Sequence, residues 1–314
     1  MTAIMSFSNP PDAGTLGLVA GALAVDEAFV EKDWYVVQAI QALVALGSPE
    51  IVPIFSGGTS LLKGHGLIKR FSEDIDFKLG LSPAFLELSG NQRRKVLGIF
   101  KDSLVAGWQA AGFTDLAIEA RDANGFLKIE MSYPTVLEGH DALRPHILAE
   151  LSAKLPRLAT MDKPLTSYVG QYQRRPPEVA SIPCVDPVET AADKLSAFTW
   201  RMLVRDRTSP ADDPTIVRHL HDLAALEPAA TSAHAFPALL LDTLLADSNR
   251  GGGAVAHLTP RDRLGAMLKR LGADEAYAGE YTRFVEGMAF AGAGEILSYR
   301  DAHDAVWRLA ALLP

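Results

Sequence analysis

The spacing of apolar positions along the first half of the chain predicts helices and strands in alternation. Apolar residues recur at helical intervals over Val25–Leu46 and Gln92–Ala111, which predicts two amphipathic helices. Shorter runs, either apolar throughout or alternating with polar residues, predict strands. These runs are Ile51–Phe55, Asp74–Leu79, Leu116–Glu119, Phe126–Tyr133 and Ile147–Leu151. The first half is therefore expected to have an α+β fold.

The second half shows helical spacing throughout. A long helix is predicted over Val188–Val204, and Asp213-Pro214 supply the N-cap and the first residue of another. Two proline-containing steps, Pro176-Pro177 and Ile182-Pro183, predict a hinge between the halves. We therefore expect two domains, an α+β domain at residues 1–180 and a helical domain at residues 181–314.

Composition excludes several classes of protein without selecting a function. The 314 residues are 48% hydrophobic, which is enough to fill a core, but no run approaches the roughly 20 apolar residues of a transmembrane helix. The N-terminus lacks the basic and apolar regions of a signal peptide. Because Cys184 is the one cysteine, an intrachain disulfide framework and a cysteine-rich zinc site are excluded. A cytoplasmic protein that does not bind a membrane is expected.

The net charge of −8 argues against a protein whose whole surface binds nucleic acid. Binding depends more on where the charges lie than on their sum. A local basic groove is therefore compatible with this composition.

A glycine turn follows the first predicted strand. Gly57-Gly58 stand directly before a short predicted helix that begins near Thr59 or Ser60. Glycines let backbone N–H groups approach a ligand closely, and a helix N-terminus favours an anion. The two hydroxyl groups add donors for phosphate oxygens. The same residues also make a tight strand-to-helix connection without any ligand, so the turn alone leaves both interpretations open.

Two aspartates lie on the second predicted strand. Asp74 and Asp76 are two residues apart, so both carboxylates are expected on one face of the strand. The repulsion between two such charges is offset when a hard divalent ion, Mg²⁺ or Mn²⁺, binds between them. A bare Asp-x-Asp also occurs on solvent-facing edge strands. A phosphate-binding turn followed by two carboxylates is an arrangement suited to nucleotidyl transfer, in which the turn binds the triphosphate and metal ions bridge its oxygens.

Several segments resemble one known family. Gly57-Gly58-Thr59-Ser60-Leu61 and Arg70-Phe71-Ser72-Glu73-Asp74-Ile75-Asp76 are similar to motifs of the AbiEii toxin family. This family comprises DNA polymerase β-type nucleotidyltransferases of type IV-like toxin–antitoxin and abortive-infection systems. The likeness extends over roughly residues 30 to 226 through Glu31–Tyr35, Leu143–Leu151, Pro187–Leu195 and Arg218–Leu223. It implies a polymerase β-type core, a mixed sheet with helices, followed by a helical C-terminal domain.

The resemblance also implies roles for acidic residues and one lysine. Asp74 and Asp76 would be metal ligands, and Glu150 would be the third acid, with Glu130 on the neighbouring predicted strand as its competitor. Lys194 would reach the triphosphate, although a lysine among apolar neighbours usually extends to water. Asp222 would orient Lys194 or the acceptor hydroxyl. The alternative for Asp222 is an intrahelical ion pair with Arg218.

Three further residues are candidates for contact with the nucleotide. Lys63 stands three residues after Ser60 and is expected to reach a phosphate, and Ser72 precedes Asp74 by two positions and is expected on its side of the strand. Arg70 either contacts the nucleotide or pairs with Glu73 or Asp74.

The expected reaction is transfer of a nucleoside monophosphate from an NTP to a hydroxyl group, with Mg²⁺ or Mn²⁺ as cofactor. The resemblance implies that tRNA is the acceptor and that a cognate antitoxin protein is a partner. Two alternatives stay open: a protein or small-molecule acceptor, and a non-catalytic module that senses NTP and acts through a partner protein.

Overall fold

The computed structural model describes residues 7–140, 142–290 and 297–313. These residues form seven strands and twelve α-helices, with short 3₁₀ and π segments. The chain divides into two compact units. The first contains the residues up to Gly66 together with Phe71–Val185, and the second contains Leu67–Arg70 together with the chain from Asp186 onward.

The first unit carries all seven strands and six of the helices. The strands are β1 (Ile51–Ser56), β2 (Ile75–Leu81), β3 (Thr114–Arg121), β4 (Phe126–Ser132), β5 (Ile147–Ser152), β6 (Met161–Leu165) and β7 (Val179–Cys184). The helices are α1 (Ala13–Leu23), α2 (Glu27–Val44), α3 (Gly57–Thr59), α4 (Pro83–Leu86), α5 (Gly90–Ala111) and α6 (Tyr168–Tyr172). No single helix in the described ranges is long and apolar enough to cross a membrane; α1 and α2 qualify only when taken together, as a pair bent by 107°.

The strands form one mixed sheet in the order β3-β4-β5-β2-β1-β7-β6. β2 pairs antiparallel with β1 and parallel with β5, and β4 pairs antiparallel with β5. Buried and half-buried residues alternate along β2, β4 and β5. One face of these strands therefore belongs to the core, and the other carries polar side chains.

Helices α2 and α5 complete the core of the first unit. The apolar residues of α2 and α5 form a single buried cluster with the core face of the sheet. Trp108 of α5 is fully buried, and its indole Nε1 donates to the carbonyl of Ala39 in α2 at 2.9 Å. This bond satisfies the polar atom that a buried tryptophan carries, so the ring packs without an unpaired donor. The N-terminal half of α2 lies in the same packed environment.

The second unit is helical. Its helices are α7 (Pro187–Val204), α8 (Arg218–Ser232), α9 (Phe236–Ala246), α10 (Pro260–Ala273), α11 (Ala276–Met288) and α12 (Tyr299–Ala311). Asp186 caps α7 by accepting from the Val188 N–H at 2.7 Å, and proline occupies the next position. α7 packs against α8, α9 and α10, and α8 packs against α12. Leu195, Phe198 and Met202 form the buried stripe of α7.

Two expectations about organisation need correction. Ile182-Pro183, predicted as a hinge, lies in β7, which pairs with β6 and with β1. The division between the units therefore follows Val185 instead of residue 180, because the last strand belongs to the sheet. The four residues Leu67–Arg70 also belong to the second unit, which a single boundary near residue 180 does not anticipate.

Candidate active site

The glycine turn lies directly beneath Asp76. Gly57 has a φ of +73°, a backbone conformation that favours glycine. A Cβ placed on Gly57 would overlap the carboxylate of Asp76 and would stand 2.6 Å from its Cγ. The chain then turns into α3 and continues as a π segment at Ser60–Gly64. Glycine at this position therefore admits the carboxylate of Asp76 to the start of the helix.

Asp76 and Glu150 are neighbours on adjacent strands. They are register partners in the parallel pair of β2 and β5, and both lie on the half-buried face. Neighbouring strands are about 4.8 Å apart, so the two carboxylates are close enough to share a ligand. Glu130 lies on β4, one strand further from Asp76, where it pairs with Lys128 at 2.9 Å and with His146 at 3.8 Å. That Lys128 contact lowers the pKa of Glu130.

Asp74 lies outside the strand, because β2 begins at Ile75. Its carboxylate forms an ion pair with the guanidinium of Arg144, and its carbonyl accepts a hydrogen bond from the Thr59 hydroxyl. Within residues 7–140, 142–290 and 297–313, no three His, Cys, Asp or Glu side chains converge as a metal-binding group. The arrangement supplies two neighbouring carboxylates, which suits Mg²⁺ when substrate phosphates and waters complete its oxygen shell.

Three consecutive charged residues of α2 are buried, and each contacts a different loop. Glu31 accepts hydrogen bonds from the Val136 N–H at 2.7 Å and the Thr135 hydroxyl at 2.5 Å. The next residue, Lys32, is fully buried, forms an ion pair with Glu73 and donates to the carbonyl of Arg144 at 2.6 Å. Asp33 accepts from the Tyr168 N–H at 2.7 Å. The N-terminal half of α2 therefore fixes three segments of the chain, one of which leads directly into Asp74.

Lys63 faces the interior instead of the glycine turn. Its ammonium lies 2.5 Å from Asp33 and 3.6 Å from the ring centre of Tyr168, and it donates to the Thr166 carbonyl at 3.3 Å. Burial lowers the pKa of Lys63 and raises that of Asp33, while each charge opposes the shift of the other. These contacts occupy the ammonium, so the geometry does not favour the phosphate contact predicted from its position after Ser60.

The hydroxyl groups near the turn also make internal contacts. Thr59 is buried and donates to the Asp74 carbonyl, with Ser72 Oγ at 3.1 Å from its hydroxyl. Ser60, in contrast, is buried, and its hydroxyl has no hydrogen-bond partner among the described residues. Ser72 precedes the strand and therefore does not share the strand face of Asp76. The side chains of Thr59 and Ser72 thus connect the glycine turn to the aspartate segment.

In the second unit, Asp222 of α8 lies between two cations. Arg70 makes a bidentate contact with it, at 2.7 Å from Nε and 2.6 Å from Nη2, and Lys194 of α7 lies 2.7 Å away. Burial alone would raise the pKa of Asp222, but Arg70 and Lys194 hold it well below its usual range. The predicted partnership of Asp222 with Lys194 is therefore present.

Two predicted pairings around Asp222 are replaced by others. Arg218, weighed as its intrahelical partner, instead contacts Asp213 at 3.2 Å. Arg70 is buried and pairs with Asp222, not with Glu73 or Asp74. The planar guanidinium of Arg70 makes two parallel bonds to this one carboxylate. Its contact with the nucleotide stays a prediction.

Sequence reasoning did not assign roles to four residues that shape the site: Lys32, Asp33, Glu73 and Arg144. The available signal was the run Glu31-Lys32-Asp33 between Phe29-Val30 and Trp34-Tyr35. A charged run with apolar residues on both sides leaves no polar face for the helix, which indicates buried and paired charges. Their partners lie 30 or more residues away in the chain and follow only from the fold.

Residues 42–308 match the sequence model of the family described as nucleotidyl transferase AbiEii toxin, type IV TA system. The protein is therefore a nucleotidyltransferase, with the glycine turn and neighbouring carboxylates that such a fold presents. It belongs to the AbiEii family, the nucleotidyltransferase toxins of type IV toxin–antitoxin systems. Such a toxin implies an NTP substrate and an antitoxin partner.

Solved structures support the same fold. Seven of their chains match, among them MenT4, a nucleotidyltransferase toxin from Mycobacterium tuberculosis H37Rv. The TM-score is 0.50 at 16% sequence identity, and the alignment covers 95% of this chain and 98% of MenT4. Among curated protein sequences, none matches this chain. The likeness confirms the predicted α+β fold of a nucleotidyltransferase toxin.

Proposed function

We propose that this protein uses a divalent metal ion to transfer a nucleoside monophosphate from an NTP to a hydroxyl group of tRNA. The observation that carries the proposal is the placement of Asp76 and Glu150 side by side on one sheet face, with the carboxylate of Asp76 against Gly57. In this proposal the two carboxylates are oxygen ligands beside a turn that is suited to a triphosphate.

In this mechanism, Asp76 and Glu150 would hold Mg²⁺ or Mn²⁺, and Asp74 would join them. A divalent ion held by these carboxylates would supply positive charge that offsets charge on the triphosphate and would lower the pKa of an attacking hydroxyl. The turn at Gly57-Gly58, which leads into α3 and its π continuation, would bind the triphosphate. The hydrogen bonds of Thr59 keep the turn and Asp74 in a fixed relation.

Lys194 and Asp222 serve the same reaction in this proposal. A fixed positive charge at Lys194 would offset charge that develops on the leaving pyrophosphate. Asp222 orients the ammonium at 2.7 Å, and Arg70 fixes the carboxylate from its other side. Asp222 also stays ionised, since its pKa lies well below the usual range.

The acceptor is assigned to tRNA on the resemblance to the AbiEii family, which also supports an antitoxin as protein partner and growth arrest as outcome. A tRNA acceptor would place the reaction in the cytoplasm. The half-exposed side chains of Arg144 and Lys128 supply cations on the side of the sheet that carries Asp76. They favour an anionic ligand there in spite of the net charge of −8.

The proposal is tested by incubating the protein with each α-³²P-labelled NTP, Mg²⁺ and total tRNA, beside the Asp76→Asn variant. Label on tRNA with the wild type alone is the expected result. Label on protein or on a small molecule would retain the chemistry and replace the acceptor. Binding of NTP without transfer of label to anything would overturn the enzymatic proposal and favour an NTP sensor.

A further inference from the structure

Arg144 is fixed at its backbone and extends its guanidinium to Asp74. The Arg144 N–H donates to Glu73 Oε2 at 3.1 Å, and its carbonyl accepts from the Lys32 ammonium at 2.6 Å. Lys32 in turn forms an ion pair with Glu73. Lys32, Glu73 and the backbone of Arg144 thus contact one another. The side chain of Arg144 extends from this group to Asp74.

The two ion pairs differ in burial: Lys32 and Glu73 form the buried pair, and Arg144 and Asp74 form the exposed one. The Lys32 side chain is 0% exposed, and burial lowers its pKa although Glu73 opposes that shift. The side chains of Arg144 and Asp74 are 39% and 30% exposed. An ion pair as exposed as this contributes little stability and can exchange partners. Breaking the buried pair of Lys32 and Glu73 would instead leave a buried charge without compensation.

The guanidinium of Arg144 also lies in a region that is rich in carboxylates. Asp74, Asp76 and Glu150 bring three carboxylates to one region around the start of β2. Such carboxylates repel one another unless a cation lies among them. In the described structure the guanidinium of Arg144 contacts Asp74, and the three acids do not converge as a metal site.

We propose that Arg144 is an exchangeable cation of the site. It forms an ion pair with Asp74 while metal and nucleotide are absent. When these bind, the ion pair breaks and Asp74 becomes a ligand of the divalent ion. The released guanidinium then contacts the NTP phosphates, for which its planar fork of donors is suited. This inference rests on the proposed function, because it assumes that Asp74 becomes a metal ligand. It accounts for the ion pair between Arg144 and Asp74 in the structure.

The test measures Mn²⁺ binding without nucleotide, by the loss of the electron paramagnetic resonance signal of free Mn²⁺. The variants are Arg144→Gln, Arg144→Lys and, as a matched loss of one positive charge, Arg121→Gln. Arg121 lies at the end of β3, where its exposed side chain pairs with Glu119. The Mn²⁺ that is bound by wild type but not by Asp76→Asn is the Mn²⁺ at the site. The KM for NTP and kcat are measured on the same proteins.

The expected result is that Arg144→Gln binds Mn²⁺ about two- to five-fold more tightly than wild type, since a competing exposed ion pair is removed. Its KM for NTP rises about tenfold because a charged hydrogen bond to phosphate is lost, while kcat changes less. Arg144→Lys recovers part of the KM, and Arg121→Gln changes neither quantity.

Other outcomes separate this inference from the proposed function. Equal Mn²⁺ affinity of wild type and Arg144→Gln, in a protein that transfers nucleotide to tRNA, would overturn the exchange and leave the function intact. Tighter Mn²⁺ binding by Arg144→Gln in a protein that transfers nothing would support the exchange and remove the function. Mn²⁺ binding by neither protein would overturn the exchange.

Discussion

The carboxylate of Asp76 occupies the space that a side chain on residue 57 would need. Gly57 precedes Asp76 by 19 positions, and the two meet because Ser56 and Asp76 are register partners in the antiparallel pair of β1 and β2. The glycine turn and the second aspartate are thus parts of one local structure and cannot vary independently.

The first prediction follows from this contact. Gly57→Ala should lower nucleotide transfer by about 100-fold, since an ångström-scale displacement of a site carboxylate has an effect of this size. The free energy of unfolding should fall by more than the roughly 1–2 kcal/mol of an alanine forced to positive φ. Chemical denaturation and a transfer assay measure the two effects.

Gly66→Ala is the matched control for that variant. Gly66 also has a positive φ, +64°, but a Cβ there would meet nothing within 4 Å. The control therefore carries the backbone strain without the overlap. Equal activities of the two alanine variants would contradict the role given to the contact between Gly57 and Asp76.

The buried pair of Lys63 and Asp33 should be structural. Asp33→Asn leaves the Lys63 charge buried without its partner, so we expect a loss of about 3–5 kcal/mol in the free energy of unfolding. Adding Lys63→Met should restore part of that stability, because it removes the buried charge that Asp33→Asn leaves without a partner. Urea denaturation of both single variants and the double variant closes the cycle.

The same double variant tests the contact with phosphate that the sequence predicted for Lys63. Below its unfolding temperature it should bind NTP with an unchanged KM, because the ammonium is directed at Asp33 and Tyr168. A folded double variant with a strongly raised KM would show instead that Lys63 reaches the nucleotide.

Lys194 should matter to turnover far more than to folding. Lys194→Met is expected to lower kcat by about 10²–10³-fold, the usual effect of removing one charge that stabilises a transition state. Its stability should stay close to wild type, since Arg70 still pairs with Asp222. Arg218→Met, which removes the cation bound to Asp213, is the control and should retain turnover. Parallel losses of activity and stability in Lys194→Met would argue for a structural lysine.

Glu150 and Glu130 offer a matched comparison of two carboxylates on the same sheet face. Glu150→Gln should raise the Mg²⁺ concentration for half-maximal turnover by roughly tenfold, because the number of charged ligands sets affinity. Glu130→Gln should leave it unchanged, since that carboxylate pairs with Lys128 and lies one strand further from Asp76. The opposite ranking would assign the third acid to Glu130.

Asp222 should contribute to the acid sensitivity of the fold. Its pKa is held well below the usual range when folded, so the unfolded chain takes up this proton first as the pH falls. The resulting stability is complete above the unfolded pKa of about 3.9 and is lost as the pH falls towards the folded value. Denaturation between about pH 4 and pH 2 should therefore show a flatter decline for Asp222→Asn than for wild type.

Secondary-structure elements were predicted most accurately where the spacing of apolar residues within one segment determines the structure. The helix over Val188–Val204 and the strand at Ile147–Leu151 lie within one residue of α7 and β5. The partnership of Lys194 and Asp222 followed from the resemblance. β7 was missed because Pro183 breaks the usual strand composition, although a proline is tolerated where a ladder hydrogen bond is not required.

The remaining site contacts depend on residues far apart in the chain. Lys63 pairs with Asp33 across 30 positions, and Arg70 pairs with Asp222 across 152. Local spacing carries no information about such distances, so the spacing after Ser60 gave the wrong surroundings for Lys63. The positions of Glu150 and Glu130 relative to Asp76 likewise depend on the strand order, which places β5 beside β2 and β4 beyond it.

The three consecutive charges of α2 limit how this protein can change over evolution. Successive residues of a helix point about 100° apart, so Glu31, Lys32 and Asp33 reach their loops in three different directions. Inserting or deleting one residue in the preceding turn would rotate all three away from their partners together. We conclude that this helix has very little freedom in length ahead of these three residues.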